Sequence, residues 1–223
     1  MSDAKNYSSH EIKRRNLAWL VATLVLDVLI LLALAFHTAI EDLSLTKAIT
    51  IRASLTVLLP VPALLLSWLV SSNHKAILVF WRLQHPLPGA RAFSIHAPAD
   101  PRIDLTALRT NIGELPISDR DQNSKWYSLY KLVDSEHSVV DSHKNYLLFR
   151  DIAAMSLLLA LAVPLMMYFA DIDIQAMKLS AGVFLLQYLL SAYAARTAGI
   201  RFVQNVLAVH ASRKITNSPS QES

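Results

Sequence analysis

Apolar residues in this chain gather into long runs, and the charges gather between them. Four runs stand out: 17–36 (LAWLVATLVLDVLILLALAF), 51–72 (IRASLTVLLPVPALLLSWLVSS), 152–170 (IAAMSLLLALAVPLMMYFA) and 179–195 (LSAGVFLLQYLLSAYAA). Three are near the roughly 20 residues that carry a helix across a hydrocarbon core about 30 Å thick, and the fourth is lengthened by a helical continuation toward Ile200. The pattern predicts four transmembrane helices arranged as two hairpins. The polar stretches then divide the chain into an N-terminal arm (1–16), a first hairpin (17–72), an insert (73–151), a second hairpin (152–195) and a tail (196–223).

Within the insert, Pro86, Pro88, Pro98 and Pro101 remove backbone donors, so 85–101 reads as an ordered or extended loop. A short helix is expected at 103–111, closed by Gly113 and Pro116. Ser118 with Asp121 three residues on resembles a capping pair that opens a longer helix. No breaker follows before Pro164, so 119–170 reads as one helix about 75 Å long. Trp126, Leu129, Tyr130, Val133, His137, Val140 and Leu147 recur at helical spacing along its first half. Two readings of that stripe stand: it packs on the short helix and the proline-rich loop, or it forms a subunit interface. The continuation 196–214 repeats Ile200, Val203, Leu207 and Ala211, as either a surface-lying amphipathic helix or a strut against the insert.

Composition supports the membrane reading, since 53% of the 223 residues are hydrophobic and 17% charged. The distribution of charge adds orientation. The N-terminal arm carries four Lys and Arg, the insert ten and the tail four, whereas the two short loops and their edges hold Lys47, Arg52 and Lys178. By the positive-inside bias, the N-terminus, insert and C-terminus are expected to be cytoplasmic. The same bias accounts for the net charge of +4, so no DNA partner is expected. The basic segment Lys13-Arg14-Arg15 precedes a run too long for a signal-peptide core, which reads as a retained span. The absence of cysteine excludes disulfides and thiolate chemistry.

The candidate chemistry starts with Asp27, near the centre of the first run. A carboxylate at that depth costs roughly 2.5–3.5 kcal/mol on insertion scales, so it must be neutralised, paired or hydrated. A pore ring, a proton or cation site and a partner contact are open to it. The plain alternative is a protonated carboxyl bonded to Thr23 or to a hydroxyl or amide of another span. Ser180, Gln187 and Ser191 form a polar face on the fourth run, either lining a hydrated path or serving helix packing. Pro60 and Pro62 predict a kink in the second span, as a gate hinge or only as shape.

In the insert, Arg91, Arg102, Arg109 and Arg120 together with Trp126 and Tyr130 suit a nucleotide or phosphate by charge pairing and stacking. Ordinary cytoplasmic-side charge with interfacial aromatics is the plainer explanation of the same residues. Asp134, His137 and Asp141 share one helix face, where carboxylate and imidazole are able to share a metal. A further ligand is missing, so His137 is read as a buried interface histidine flanked by carboxylates, and His143 as a solvated one. No metal and no cofactor are expected. No Walker loop, nucleophile elbow, HExxH or dinucleotide glycine pattern occurs, and no enzyme activity is expected.

The four spans, Asp27 within one of them and the basic, aromatic insert 73–151 give a plan that resembles the small bacterial membrane effectors of antiphage nucleotide-signalling systems. That resemblance implies homo-oligomers that form a pore or disrupt the membrane when a cytoplasmic sensing part is engaged. It carries no motif that assigns a functional residue. The expectation is therefore an all-α integral membrane protein, two transmembrane hairpins flanking a cytoplasmic, mostly helical insert. It would act as a gated pore or effector answering a cytoplasmic protein or nucleotide signal. A non-conducting scaffold and a small transporter are the rival readings.

Overall fold

The computed structural model describes residues 16–30, 69–169 and 172–212, and these are helical, with no strand among them. The helices are α1 (Asn16–Ile30), α2 (Ser72–Phe80), α3 (Leu105–Ile112), α4 (Asp119–Lys131), α5 (His137–Phe169) and α6 (Ile174–Ser212). Most of the second run, with Pro60 and Pro62, lies outside the described residues.

Local chemistry sets the helix ends. The Ser71 hydroxyl accepts from the His74 amide and caps α2, which ends at Trp81 in the left-handed region (φ 52°). The Asp104 carboxylate accepts from the amides of Thr106 and Ala107 and opens α3. Gly113, at φ 80°, closes α3 where a side chain would strain the backbone. Ser118 opens α4, accepting from the Asp121 amide at 3.2 Å and donating to the Asp121 carboxylate at 2.6 Å. Asp119 and Asp121 in the first turn and Lys131 in the last complement the helix dipole. Asp173 caps α6 by accepting from the amides of Gln175 and Ala176.

The helix expected over 119–170 is broken at 132–136. Tight i to i+3 bonds, from the Val133 amide to the Tyr130 carbonyl and from the Glu136 amide to the Val133 carbonyl, close the turn without glycine or proline. The physical reason lies in the phase of the apolar positions. Val133, Val139 and Val140 are all buried, and one straight helix cannot turn 133 and 139 to the same side. The turn resets the phase, so His137 faces solvent and Val139 faces the core. Downstream, α5 passes through Pro164 without ending. Lost backbone bonds of that kind are tolerated in helices packed by apolar neighbours.

The described chain divides into two compact units, with α5 and α6 supplying residues to both. The first holds α1, α2, 144–169 of α5 and 174–196 of α6. Its core repeats every four residues along α5 through Met155, Leu159, Val163 and Met167, against Phe184 and Ala176 of α6 and Leu24 of α1. A second cluster joins Val79, Ala153, Tyr188, Ala192 and Ala195. α5 and α6 are both long and apolar enough to cross a membrane. Only 44% of the most apolar stretch of α5 and 22% of that of α6 are buried, so both turn much apolar surface outward.

The second unit comprises 83–143 with 197–212. The segment 73–151, read as one insert, is thus shared: 73–82 and 144–151 belong with the first unit. The proline-rich stretch is compact rather than extended, a 3-10 turn (Pro88–Arg91) running into a π-helical turn (Ala92–His96). Gln122 of α4 holds it: the buried side-chain oxygen accepts from the amides of Phe93 and Ser94 and from the Ser94 hydroxyl. Its amide nitrogen donates to the Ile117 carbonyl. Of the two readings for the tail, the strut is the one observed. Phe202, Val203, Val206 and Leu207 are buried, His210 Nε2 donates to the Leu129 carbonyl, and Asn111 donates to the His210 carbonyl.

Gly89 sits against the face of Trp126, where a Cβ would lie 2.5 Å from the indole ring and 2.6 Å from Asn123 Oδ1. Gly89→Ala is therefore expected to destabilise the second unit by about 1–3 kcal/mol, the range for overpacking a filled site. Denaturant unfolding monitored by tryptophan emission measures it, and an unchanged midpoint would show that the approach is looser than this.

Candidate functional site

Asp27 on α1 is fully buried, and its Oδ1 accepts a 3.0 Å hydrogen bond from Gln187 Nε2 of α6. Its second oxygen, Oδ2, is also buried and has no hydrogen-bond partner among the described residues. Thr23, the local alternative, donates instead to the Trp19 carbonyl one turn back. Of the polar face on the fourth run, Gln187 alone reaches Asp27. The Ser180 hydroxyl donates to the Met177 carbonyl and the Ser191 hydroxyl to the Gln187 carbonyl, so both satisfy their own helix. Asp27 and Gln187 are 160 positions apart. Each is legible alone as a polar residue in an apolar run, but their pairing is not.

A second polar centre in the first unit was not anticipated. Asp151, just before the third run, accepts from Lys75 Nζ at 2.9 Å and from Arg150 Nη2 at 3.2 Å. The Lys75 side chain is 6% exposed and that of Asp151 21%. Arg150 also lies over the Tyr146 ring, 5.6 Å from its centroid. Nearby in sequence to Lys75, the Trp81 indole donates to the Tyr188 hydroxyl, which donates to the Leu78 carbonyl, and Arg196 lies over the Trp81 ring. The available signal was the placement of opposite charges: a lysine just after the second run and an aspartate just before the third.

The arginines of the second unit do not converge on a shared partner. Arg102 forms a bidentate pair with Asp100, and this guanidinium holds the Asp100 carboxyl below the usual carboxylate range. Arg91 ends the 3-10 turn, and Arg109 and Arg120 are exposed on α3 and α4. The aromatic residues are part of the core instead of a ligand platform. Trp126 is buried, stacked on Tyr130 (5.9 Å) and edge-on to Phe202 (5.1 Å). Of the two readings of the stripe on α4, packing on the proline-rich turn is observed.

Within the single chain His137 is not buried, contrary to the reading of it as a satisfied buried histidine. It is 79% exposed and pairs with Asp141 at 3.1 Å across one helical turn, while Asp134 is exposed beside it. Exposed pairs of this type contribute little. The packed role belongs to His143, expected to be solvated: it is half-buried, its ring stacks on Phe202 at 4.5 Å, and Nδ1 lies 3.3 Å from the Tyr130 hydroxyl. Val139, Val140 and His143 share one face of α5, but an unbroken helix continued from the Trp126, Leu129, Tyr130 and Val133 stripe would turn Val139 and His143 away from that stripe, and the turn at 132–136 removes that phase. Among the described residues no group of three or more His, Cys, Asp or Glu is placed to hold a metal.

Comparison with known proteins returned no matching family model, no matching curated protein and no matching solved structure.

Two measurements follow from these contacts. Asp151→Asn leaves the buried Lys75 ammonium without its anion and is expected to cost about 3–5 kcal/mol, whereas Lys75→Met costs less because Arg150 still meets Asp151. Equal losses in detergent-solubilised unfolding would mean that the pair is hydrated. For Asp100 the sign follows from its lowered carboxyl. The native state binds fewer protons than the unfolded one, so the contribution is present above the ordinary carboxylate range and lost as pH falls through the lowered value. Arg102→Ala should cost less than about 1 kcal/mol at neutral pH, given the exposed guanidinium, and nothing in strong acid. Unfolding midpoints across the acid range measure this difference.

Proposed function

We propose that this chain is a multi-pass protein of the bacterial inner membrane that assembles into an oligomer. In this reading it is a gated pore or membrane effector controlled by a cytoplasmic helical module. The proposal includes four spans, at 17–36, 51–72, 152–170 and 179–195, with both termini cytoplasmic. The length and apolar character of α5 and α6 support it, as do outward-facing leucines such as Leu161, Leu165, Leu186 and Leu190 and the bias of Lys and Arg toward the insert and ends.

The observation that carries the reading is the Asp27–Gln187 contact. A carboxyl retained inside an apolar helix and tied to a second helix by one amide is costly for a mere anchor and in keeping with an intramembrane functional group. The resemblance to the membrane effectors of antiphage nucleotide-signalling systems suggests the same class. For the trigger, the use of Trp126 and Tyr130 in the core favours a protein partner over a stacked nucleotide.

A second reading has its own support. Asp27 is wholly covered within a single chain, so it is not presented to neighbouring copies as a ring about an axis would be. That favours a non-conducting scaffold or accessory subunit in which the Asp27–Gln187 bond simply joins two helices.

Ion flux into liposomes carrying the purified protein separates the two. The effector reading expects flux that Asp27→Ala abolishes or locks open, together with altered growth of cells expressing that variant. Absence of flux with and without cytoplasmic extract, and growth indifferent to Asp27→Ala, would leave the scaffold reading.

A further inference from the structure

The second oxygen of Asp27 is the feature that neither reading uses. A buried polar atom without a partner is rare, because leaving it unmade costs the full desolvation of the group. Here it belongs to a carboxyl inside an apolar contact between α1 and α6, where Leu24 packs into the cluster of Met155, Leu159 and Phe184. Gln187 provides one neutral donor to Oδ1, and no ion pair is made with Asp27 among the described residues. The titratable groups along the apolar lengths of α5 and α6 are Tyr168, Lys178, Tyr188 and Tyr193, and none of them bonds to Asp27. One neutral hydrogen bond does not compensate a full charge removed from water.

A metal ion is a poor fit to the open oxygen. A hard cation stripped of water takes about six oxygen ligands, and the hydroxyls of Ser180 and Ser191 are turned to their own helix carbonyls. A proton needs only the one oxygen. We propose that Asp27 is a proton-binding site, occupied while α1 lies against α6, with the proton on Oδ2 and Oδ1 accepting from Gln187. Release of that proton to water leaves a carboxylate that this contact does not accommodate, so α1 must part from α6 or admit water around Asp27. Proton occupancy and the α1–α6 contact are therefore one equilibrium, and the ligand of this site is the hydrogen ion itself. The inference rests on the reading that these helices lie in a membrane.

Infrared difference spectroscopy of protein in lipid films tests it. At neutral pH the wild type minus Asp27→Asn spectrum is expected to show the carbonyl stretch of a carboxylic acid. Asparagine keeps the acceptor for Gln187 and the shape of the side chain, and far-ultraviolet circular dichroism checks that it folds. Should it not fold, the same band in the wild type must shift on carbon-13 labelling of aspartate, since solvated aspartates are ionised at neutral pH and add nothing there. Gln187→Leu is expected to move the band upward as Oδ1 loses its donor. A spectrum with carboxylate bands alone at neutral pH, or an acid band that appears only on acidification like that of any exposed aspartate, would overturn the proposal. Amide exchange in deuterium oxide on the same films reports the membrane reading separately. Rapid exchange throughout α5 and α6 would remove that reading whatever the state of Asp27.

Discussion

α5 and α6 each change character along their length, and much of the structure answers that constraint. In α6 the stretch through Phe184 and Leu190 is apolar on nearly every side, whereas beyond Arg196 the buried positions narrow to a stripe of Phe202, Val203, Val206, Leu207 and Ala211. No single surrounding suits both halves of such a helix. The first half needs a medium that accepts exposed leucine, and the second needs a small core with water on its other face. The division into two units follows this change in the side chains.

Where the two characters meet in the first unit, the chain concentrates its charge chemistry. Lys75, Arg150 and Asp151 neutralise one another in part, with one cation in excess, and Trp81, Tyr146 and Tyr188 add rings with polar tips. Side chains with an apolar body and a polar end suit a boundary between two media. Asp27 differs because its partner is neutral and single, so its stability depends on the contact remaining closed.

Much of this was legible where a local rule acts alone. Ser118 with Asp121, Gly113 after the short helix, and the apolar runs of α1, α5 and α6 are read from neighbours a few positions apart. What escaped reading depends on residues brought together by folding. The turn at 132–136 contains neither glycine nor proline; the need to bury both Val133 and Val139 makes it, and that need is visible only once Phe202 and the α6 strut are in place. His137 and His143 then exchange the roles that an unbroken helix would assign them. Trp126 looked available for stacking because its partners, Gly89 and Phe202, lie far from it in sequence.

The seating of Trp126 has an optical consequence. Trp126 is the sole tryptophan within 83–143 and 197–223, the other three being Trp19, Trp68 and Trp81. It is enclosed by Tyr130 and Phe202, in surroundings that shift indole emission to the blue, while Trp19 and Trp81 are substantially exposed. With those three replaced by phenylalanine, the remaining emission would come from the second unit alone. The chain thus carries its own fluorophore for following one half of the molecule while lipid, pH or a binding protein acts on the other.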